Sequence, residues 1–397
     1  MGTKPLDGIR VVELGTYVAV PSCGRMLAQL GAEVIKVEPL GGVPYRKIGH
    51  MTRNEDVIFD MLNTGKKSIS IDAKSAEGNE YVLKLLSTAD IFITNTRAKS
   101  LEKLGLSYDA VKAINPKLVY AHFSGYGPKG PLKDLPGYDT TAFFTRFGIL
   151  RDFVDPDRPP ASLMPGLGDI ASGLAMTANI AVALLKAREQ GEGELIECAL
   201  NQVANWMMLF PMIYSQYGLS YALRDGDPPV TGSNATVKCG DNEYLLYACG
   251  TIQQCHSLLK AIGLEHLISD NRCKTLESFD KYTPELFKEI ELAFLERGAE
   301  EWVTILRAND VACERHRHTI EISHDEQLLA NGYIHPANYV NNDIIVPVPP
   351  IGFASVDLSA NEPAPSLGQH TAEVLMSIGC TQDQLECMQK NGIIVLA

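Results

Sequence analysis

The chain has 397 residues, 45% of them hydrophobic and 21% charged, which suits two domain-sized cores and excludes a disordered or fibrous protein. Its 35 Lys and Arg against 48 Asp and Glu give a formal charge of −13, so neither nucleic acid nor an anionic membrane is an expected partner. Nine Cys without a C-x-x-C pair, behind an opening MGTKPLDGIRVVEL that lacks a signal peptide's apolar core, predict reduced thiols, no structural zinc and a cytoplasmic protein.

The N-terminal third alternates β-branched runs with helical stretches, the pattern of βαβ units and a parallel sheet. Strands are predicted at Ile9–Leu14, Glu33–Glu38, Ser68–Asp72, Asp90–Thr94 and Leu118–Ser124, with helices over Pro21–Leu30, Ala76–Leu86 and Ala98–Leu104 between them. The fold class is therefore α/β, a doubly wound, Rossmann-like parallel sheet whose ligand crevice lies beyond the carboxyl ends of its strands. A Pro-rich stretch (Asp155–Pro160) and the turn Pro165-Gly-Leu-Gly-Asp169 precede a long helix to about Arg188, a strand at Glu194–Cys198 and a helix from Asn201. Its apolar part, Ile170–Leu185, is interrupted by Ser, Thr and Asn and is shorter than the roughly 20 residues of a membrane span, so it reads as a buried helix. Asp225-Gly-Asp-Pro-Pro229 breaks the pattern as a linker. A strand at Tyr244–Ala248 and helical segments from Gln253 to Leu306 follow, then a β-rich span (Tyr333–Val356) and a helix over Thr371–Ile378. The expected organisation is a large domain over 1–224, a smaller inserted domain over 225–330, and a return to the large domain over 331–397.

Several motifs are set aside on physical grounds. Gly125-Tyr-Gly127-Pro-Lys-Gly130 matches G-x-G-x-x-G, but it follows the fifth strand instead of the first. Pro128, Pro131 and Pro136 also oppose the helix that would hold a pyrophosphate, so no nicotinamide or flavin is expected. His316 and His318 sit in a charged segment that reads as solvated, and His122, within an apolar strand, reads as a satisfied core histidine. No metal site is predicted. No G-x-S-x-G elbow and no P-loop is present.

Asp169 is different. Gly166 and Gly168 clear side chains ahead of it, the following Ala171, Ser172 and Gly173 are small, and the helix start offers free N–H groups for a developing oxyanion. An N-cap is the ordinary reading of such an Asp. As the sole carboxylate of an apolar stretch, with no second one nearby in sequence, it also suits covalent nucleophilic catalysis.

These residues resemble the class III CoA-transferases, the formyl-CoA and carnitine CoA-transferase family, along nearly the whole chain. The resemblance rests on Lys4–Leu14, Pro21, Leu30–Glu38, Asn63–Asp72, Asp90–Asn95, Asn115–Val119, Gly125-Tyr-Gly127, Gly168-Asp169 and Leu367-Gly-Gln-His-Thr-Ala-Glu-Val-Leu375. It implies that Asp169 attacks an acyl-CoA thioester, passing through a mixed anhydride and an aspartyl-CoA thioester, with CoA as a substrate moiety and no tightly bound cofactor. It also implies an interlocked homodimer. Val18, Ala19, Ile71, Lys74, Asn95, Arg97 and Lys103 fall at CoA-contacting positions of the family, and Tyr138 and Asp139 where the chain passes the active site. The related racemases carry a catalytic His in the segment that here reads Gly137-Tyr138-Asp139, which speaks against racemisation. The oxalate-using branch has Gln near Val18, Arg at the position of Pro39, and a glycine run where this chain has Thr231-Gly-Ser-Asn234. The segments Leu135–Phe144 and Pro165–Asp169 look most like the 2-hydroxyisocaproate and phenyllactate CoA-transferases of amino-acid fermentation. The acids expected are thus 2-hydroxy acids, with 2-hydroxyacyl- or enoyl-CoA as donor. Trp206, Met207, Met208, Phe210 and Met212 suit either an apolar acyl pocket or ordinary core. The alternatives are a carnitine/crotonobetaine-type transferase, which Gly250–Gln254 resembles, and a non-catalytic CoA-binding protein.

Overall fold

A computed structural model describes residues 4–47, 57–153, 157–160, 165–218, 231–337, 344–353 and 363–397. The Asp225–Pro229 linker and parts of the Asp155–Pro160 and Tyr333–Val356 stretches lie outside them. The chain divides into two compact units, one of 1–149, 162–210 and 326–397 and the other of 150–161 and 211–325.

The larger unit opens with strands β1 (Arg10–Leu14), β2 (Glu33–Glu38), β3 (Lys67–Ile71), β4 (Ile91–Thr94), β5 (Val119–Ser124) and β6 (Leu195–Ala199). Helices α1 (Ala19–Gln29), α2 (Val57–Asn63), α3 (Ala76–Ser87), α4 (Ala98–Lys103) and α5 (Tyr108–Ile114) connect the first five, and the long helix Leu167–Gln190 precedes β6. All six strands are parallel. Their near-continuous burial is what a sheet covered on both faces demands, and it explains runs such as Val34-Ile35 and Ile91-Phe92-Ile93. The long helix spans 24 residues, longer than its sequence suggested and, by length and hydropathy, long enough to cross a membrane. A stripe of it is nonetheless buried in the unit: Ser172, Gly173, Met176, Thr177, Ile180, Ala183, Leu184 and Ala187.

Inside this unit three charges are taken out of water together. Glu13 on β1 accepts from Lys36 Nζ at 2.6 Å on one oxygen and from Lys66 Nζ at 2.7 Å on the other. Lys36 also donates to the Gly15 carbonyl (3.1 Å), and Lys66 to the Pro21 carbonyl (2.8 Å) and Asn63 Oδ1 (3.0 Å). Gly24 makes room for the carboxylate, since a Cβ there would stand 2.1 Å from Glu13 Oε2.

The smaller unit contains a three-stranded antiparallel sheet, β7 (Asn234–Lys238), β8 (Tyr244–Ala248) and β9 (Ala312–Arg315) in that order. Helices Ile252–Ala261, Thr283–Phe294 and Ala299–Ala308 bury one face of it through Leu245, Tyr247, Phe294 and Trp302. Tyr247 stacks on Phe294 with centroids 5.7 Å apart. His316 and His318 follow directly on the edge strand β9 and are exposed, as the solvated reading of their segment expects.

The chain then returns through the hairpin β10 (Ile334–Pro336) and β11 (Ile345–Pro347), helices Thr371–Ser377 and Gln382–Lys390, and β12 (Ile394–Val395). β12 adds antiparallel to β3, giving the sheet order β12-β3-β2-β1-β4-β5-β6. Strand succession reverses direction at β1, which has β2 on one side and β4 on the other. The crevice of such a sheet opens where neighbouring connections diverge, beyond the carboxyl ends of β1 and β4.

Candidate active site

At that point two loops are tied to each other. Asn95, just past β4, accepts from the Thr16 amide (3.0 Å) and donates to the Thr16 carbonyl (2.8 Å), which uses both ends of its side-chain amide. Between this clamp and the start of α1 lies Tyr17 at φ 59°, a left-handed backbone seldom adopted by a residue with a Cβ. Val18 follows as the N-cap of α1 and Ala19 as its first residue, both buried.

A second approach brings the nucleophile candidate in. Gly125 and Gly137 lie back to back, such that a Cβ on Gly125 would stand 2.7 Å from Gly137 Cα. This close approach, not a dinucleotide, accounts for the first glycine of the Gly125–Gly130 motif. It places the short π-helix Asp139–Thr145 against the long helix. Asp139, 1% exposed, accepts the Gly166 N–H at 2.6 Å and so fixes the entry of that helix, whose N-cap is Gly166 at φ 120°. Gly168 is filled in from the other side, with Phe143 Cγ and Asp139 Cβ within 3.0 Å of where its Cβ would be. Among the described residues the cleared space ahead of Asp169 lies at Gly166, where none beyond its chain neighbours comes within 4 Å of an added Cβ.

Asp169 stands in the first turn of the helix and is not its N-cap. It is half-buried, and burial, aided by the negative charge of Asp139, pushes its carboxyl up to about 7. The sequence had shown no second carboxylate near Asp169; the fold supplies one from 30 residues upstream. The sequence places Asp139 only at the active-site passage; its burial, which gives it a part beside Asp169, is not announced by the polar run Asp139-Thr140-Thr141. One turn further on, Gly173 is an interhelical contact, since a Cβ there would stand 2.0 Å from Ser22 Oγ and 2.9 Å from the Ala19 carbonyl on α1.

The family pattern described as CoA-transferase family III matches residues 6–371. The chain belongs to CoA-transferase family III. This transferase is 35% identical to the (R)-2-hydroxy-4-methylpentanoate CoA-transferase of Clostridioides difficile, over 98% of this chain and 99% of that protein. It is 32% identical to the cinnamoyl-CoA:phenyllactate CoA-transferase of Clostridium sporogenes, over 99% and 98%. Among solved structures, Rv3272 from Mycobacterium tuberculosis superposes with TM-score 0.84 at 28% identity, over 93% of this chain and 99% of that one. A CAIB/BAIF family protein from Brucella suis superposes with TM-score 0.79 at 30% identity, over 95% and 100%. Members of the family act on CoA thioesters and carboxylic acids, and a tightly bound cofactor is not part of their chemistry. Among the described residues no cluster of three or more His, Cys, Asp and Glu stands where it could hold a metal ion.

The remaining predicted positions of the transferase differ in what they offer a ligand. Lys74, Arg97 and Lys103 are exposed, Arg97 as the N-cap of α4 and Lys103 as its last residue. Ile71 ends β3 fully buried, its side chain in the hydrophobic core and its carbonyl accepting from the Ala73 amide at 3.1 Å. Tyr138 is exposed, with its ring against Tyr17. His122 meets the Thr96 carbonyl through Nε2 at 3.0 Å, as a satisfied core histidine does. Of the apolar candidates, Met208 is buried, while Trp206, Met207, Phe210 and Met212 are exposed, Trp206 to 73%. They line no closed acyl pocket among the described residues.

Proposed function

We propose that this transferase moves CoA from a 2-hydroxyacyl- or enoyl-CoA to a free 2-hydroxy acid bearing a branched or aromatic side chain, with Asp169 as the covalent nucleophile. The carrying observation is the half-buried Asp169 carboxyl, raised to about 7 beside Asp139 at the mouth of an open glycine turn. A carboxylate with a raised pKa is more basic, hence a better nucleophile once deprotonated. The likeness to two transferases named for 2-hydroxy-4-methylpentanoate and phenyllactate supports the choice of acid.

In the first step an Asp169 oxygen bonds to the thioester carbonyl carbon and the C–S bond breaks, leaving CoA thiolate and a mixed anhydride. The thiolate then attacks the Asp169 carbonyl of that anhydride, forming the aspartyl-CoA thioester and releasing the donor acid. The acceptor carboxylate repeats both steps in reverse, and Asp169 is regenerated. Each exchange trades one activated acyl group for another, so no ATP is consumed. The first-turn amides of Leu167 and Gly168 have no intrahelical carbonyl to serve and suit the tetrahedral oxyanions. Val18, Ala19, Ile71, Lys74, Asn95, Arg97, Lys103, Tyr138 and Asp139 are proposed to border the CoA path, with the three exposed cations meeting nucleotide phosphates.

Incubation with acyl-CoA in the absence of acceptor tests the nucleophile. The expected result is a mass shift on Asp169 that hydroxylamine or borohydride captures; an unmodified Asp169 in an enzyme turning over would refute it. We also propose a homodimer, supported by the exposed apolar side chains Val182, Leu185, Trp206, Met207 and Phe210. Light scattering at micromolar concentration giving a monomer mass would exclude it.

A further inference from the structure

Three tyrosines meet on loops that flank the helix of Asp169, and the transfer chemistry gives two of them no task. The Tyr17 ring contacts Tyr138 edge to face, centroids 5.7 Å apart at 87°, and Tyr45 at 6.3 Å and 71°. Two independent contacts tie the loops that carry this cluster to the helix of the nucleophile. Tyr138 immediately precedes Asp139, whose Cβ lies against Gly168. Tyr17 lies two residues before Ala19, whose carbonyl lies against Gly173, one helical turn beyond Asp169.

The Tyr17 backbone is the second observation. A left-handed conformation is strained for a residue with a Cβ, and it persists only where the surroundings over-determine it. Here they do. Lys36, itself held by Glu13, binds the Gly15 carbonyl, the Asn95 amide grips Thr16 from both sides, and Val18 and Ala19 are buried in the start of α1. The strain turns a large ring out of the loop and against Tyr138. A glycine would have spanned the same turn without strain, so the ring is what the conformation secures.

The cluster presents ring faces and edges, a surface for apolar or aromatic groups. The neighbouring cation is already engaged: Arg46 makes a two-point ion pair with Glu38 (2.7 Å on each oxygen) and donates to the Pro365 carbonyl at 2.9 Å. A second carboxylate on the acyl chain would find no partner in Arg46, whereas an isobutyl or benzyl group would find ring surface.

We propose that Tyr17 and Tyr45 are specificity-determining residues of this transferase, forming with Tyr138 an aromatic wall that receives the uncharged branched or aromatic side chain of the acyl group. This rests on Asp169 being the point of transfer. The test measures kcat/KM for 2-hydroxy-4-methylpentanoate and for lactate, both as acceptors from one acyl-CoA donor, in wild type, Tyr17→Ala, Tyr17→Phe and Tyr45→Ala. The ratio of the two values is expected to fall roughly tenfold in each alanine variant, and to hold within about twofold in Tyr17→Phe, which keeps the ring. An unchanged ratio in both alanine variants overturns the wall. Should either alanine variant melt well below wild type, Tyr45→Leu keeps apolar bulk without the ring. In it the preference for phenyllactate over 2-hydroxy-4-methylpentanoate must fall, and an unchanged preference overturns the wall equally. Absence of CoA transfer by the wild-type chain to any of these acids, or transfer that survives Asp169→Ala, instead overturns the function on which the wall rests.

Discussion

The larger unit buries two charge clusters of opposite design. Around Glu13 every charge is answered, with one ammonium on each carboxylate oxygen and both lysines donating onward to backbone carbonyls. Around Asp169 the second carboxylate, Asp139, repels charge on the first, and among the described residues neither takes part in an ion pair; Asp139 accepts a hydrogen bond from a backbone amide. The first cluster spans β1, β2 and the α2–β3 turn and holds the Gly15–Pro21 loop at both ends, so it is scaffold. The second leaves negative charge unanswered at an open turn, and its cost in stability appears as a raised pKa, which is the usual signature of a group kept for chemistry. Lys66 shows that burial alone does not separate them: burial lowers its pKa to about 8, with the Glu13 charge resisting.

Substitutions can break this contrast. Asp169→Asn is expected to cut CoA transfer by about four orders of magnitude or more, measured as the initial rate of thioester exchange, because the nucleophile is gone. A loss below tenfold would move the chemistry to another residue. Glu13→Ala strands two buried ammoniums and should lower unfolding free energy by about 3–5 kcal/mol in urea titrations, or prevent folding altogether. The same Asp169→Asn variant should be more stable than wild type. The sign follows from a folded pKa raised above the unfolded value: the native state holds its proton longer, so wild-type stability falls as pH rises from about 4 through about 7. At pH 8 the gain is expected at about 1–3 kcal/mol, after allowance for partial exposure, and at pH 4 it should vanish. Equal stability of the two proteins at pH 8 would mean that Asp169 carries no unmet charge. The smallest change is expected from Asp139→Asn, whose amide oxygen can still accept the Gly166 N–H. Wild-type rates should rise through a midpoint near the Asp169 value of about 7 as the carboxylate forms. In the variant that midpoint should move to lower pH yet stay above the ordinary carboxylate range, since burial is the larger cause.

What the sequence made legible was local. Glu33–Glu38 and Tyr244–Ala248 are strands to the residue, and the other early strands agree within one position at each end, because β-branched runs between turns have few other uses. β7 and β9 escaped. The first carries only Ala235 and Val237 inward, and the second exposes alternate residues and owes its place to pairing with β8. Asp169 was legible from its glycines, but its partner was not. Asp139 reaches it through the contact of Gly125 with Gly137, a backbone approach that leaves no periodic trace. The lysines of the buried triad did leave one. A Lys amid Val34-Ile35 and Val37 in a strand covered on both faces requires a buried carboxylate within reach, and Glu13, mid-strand in β1, answers the same anomaly.

The position of β12 in the sheet bears on how the chain is made. Ile394 pairs with Ile71, a separation of 394 − 71 = 323 residues. At about 5–20 residues per second of synthesis, β3 waits on the order of a quarter of a minute to a full minute for its outer neighbour. Throughout that interval the nascent sheet presents an open parallel edge, the kind that recruits strands from other chains. Lys67 and the polar Ser68 and Ser70 along β3 make that waiting edge a poor template for such recruitment, so the strand paired last is guarded by the composition of the one that waits for it.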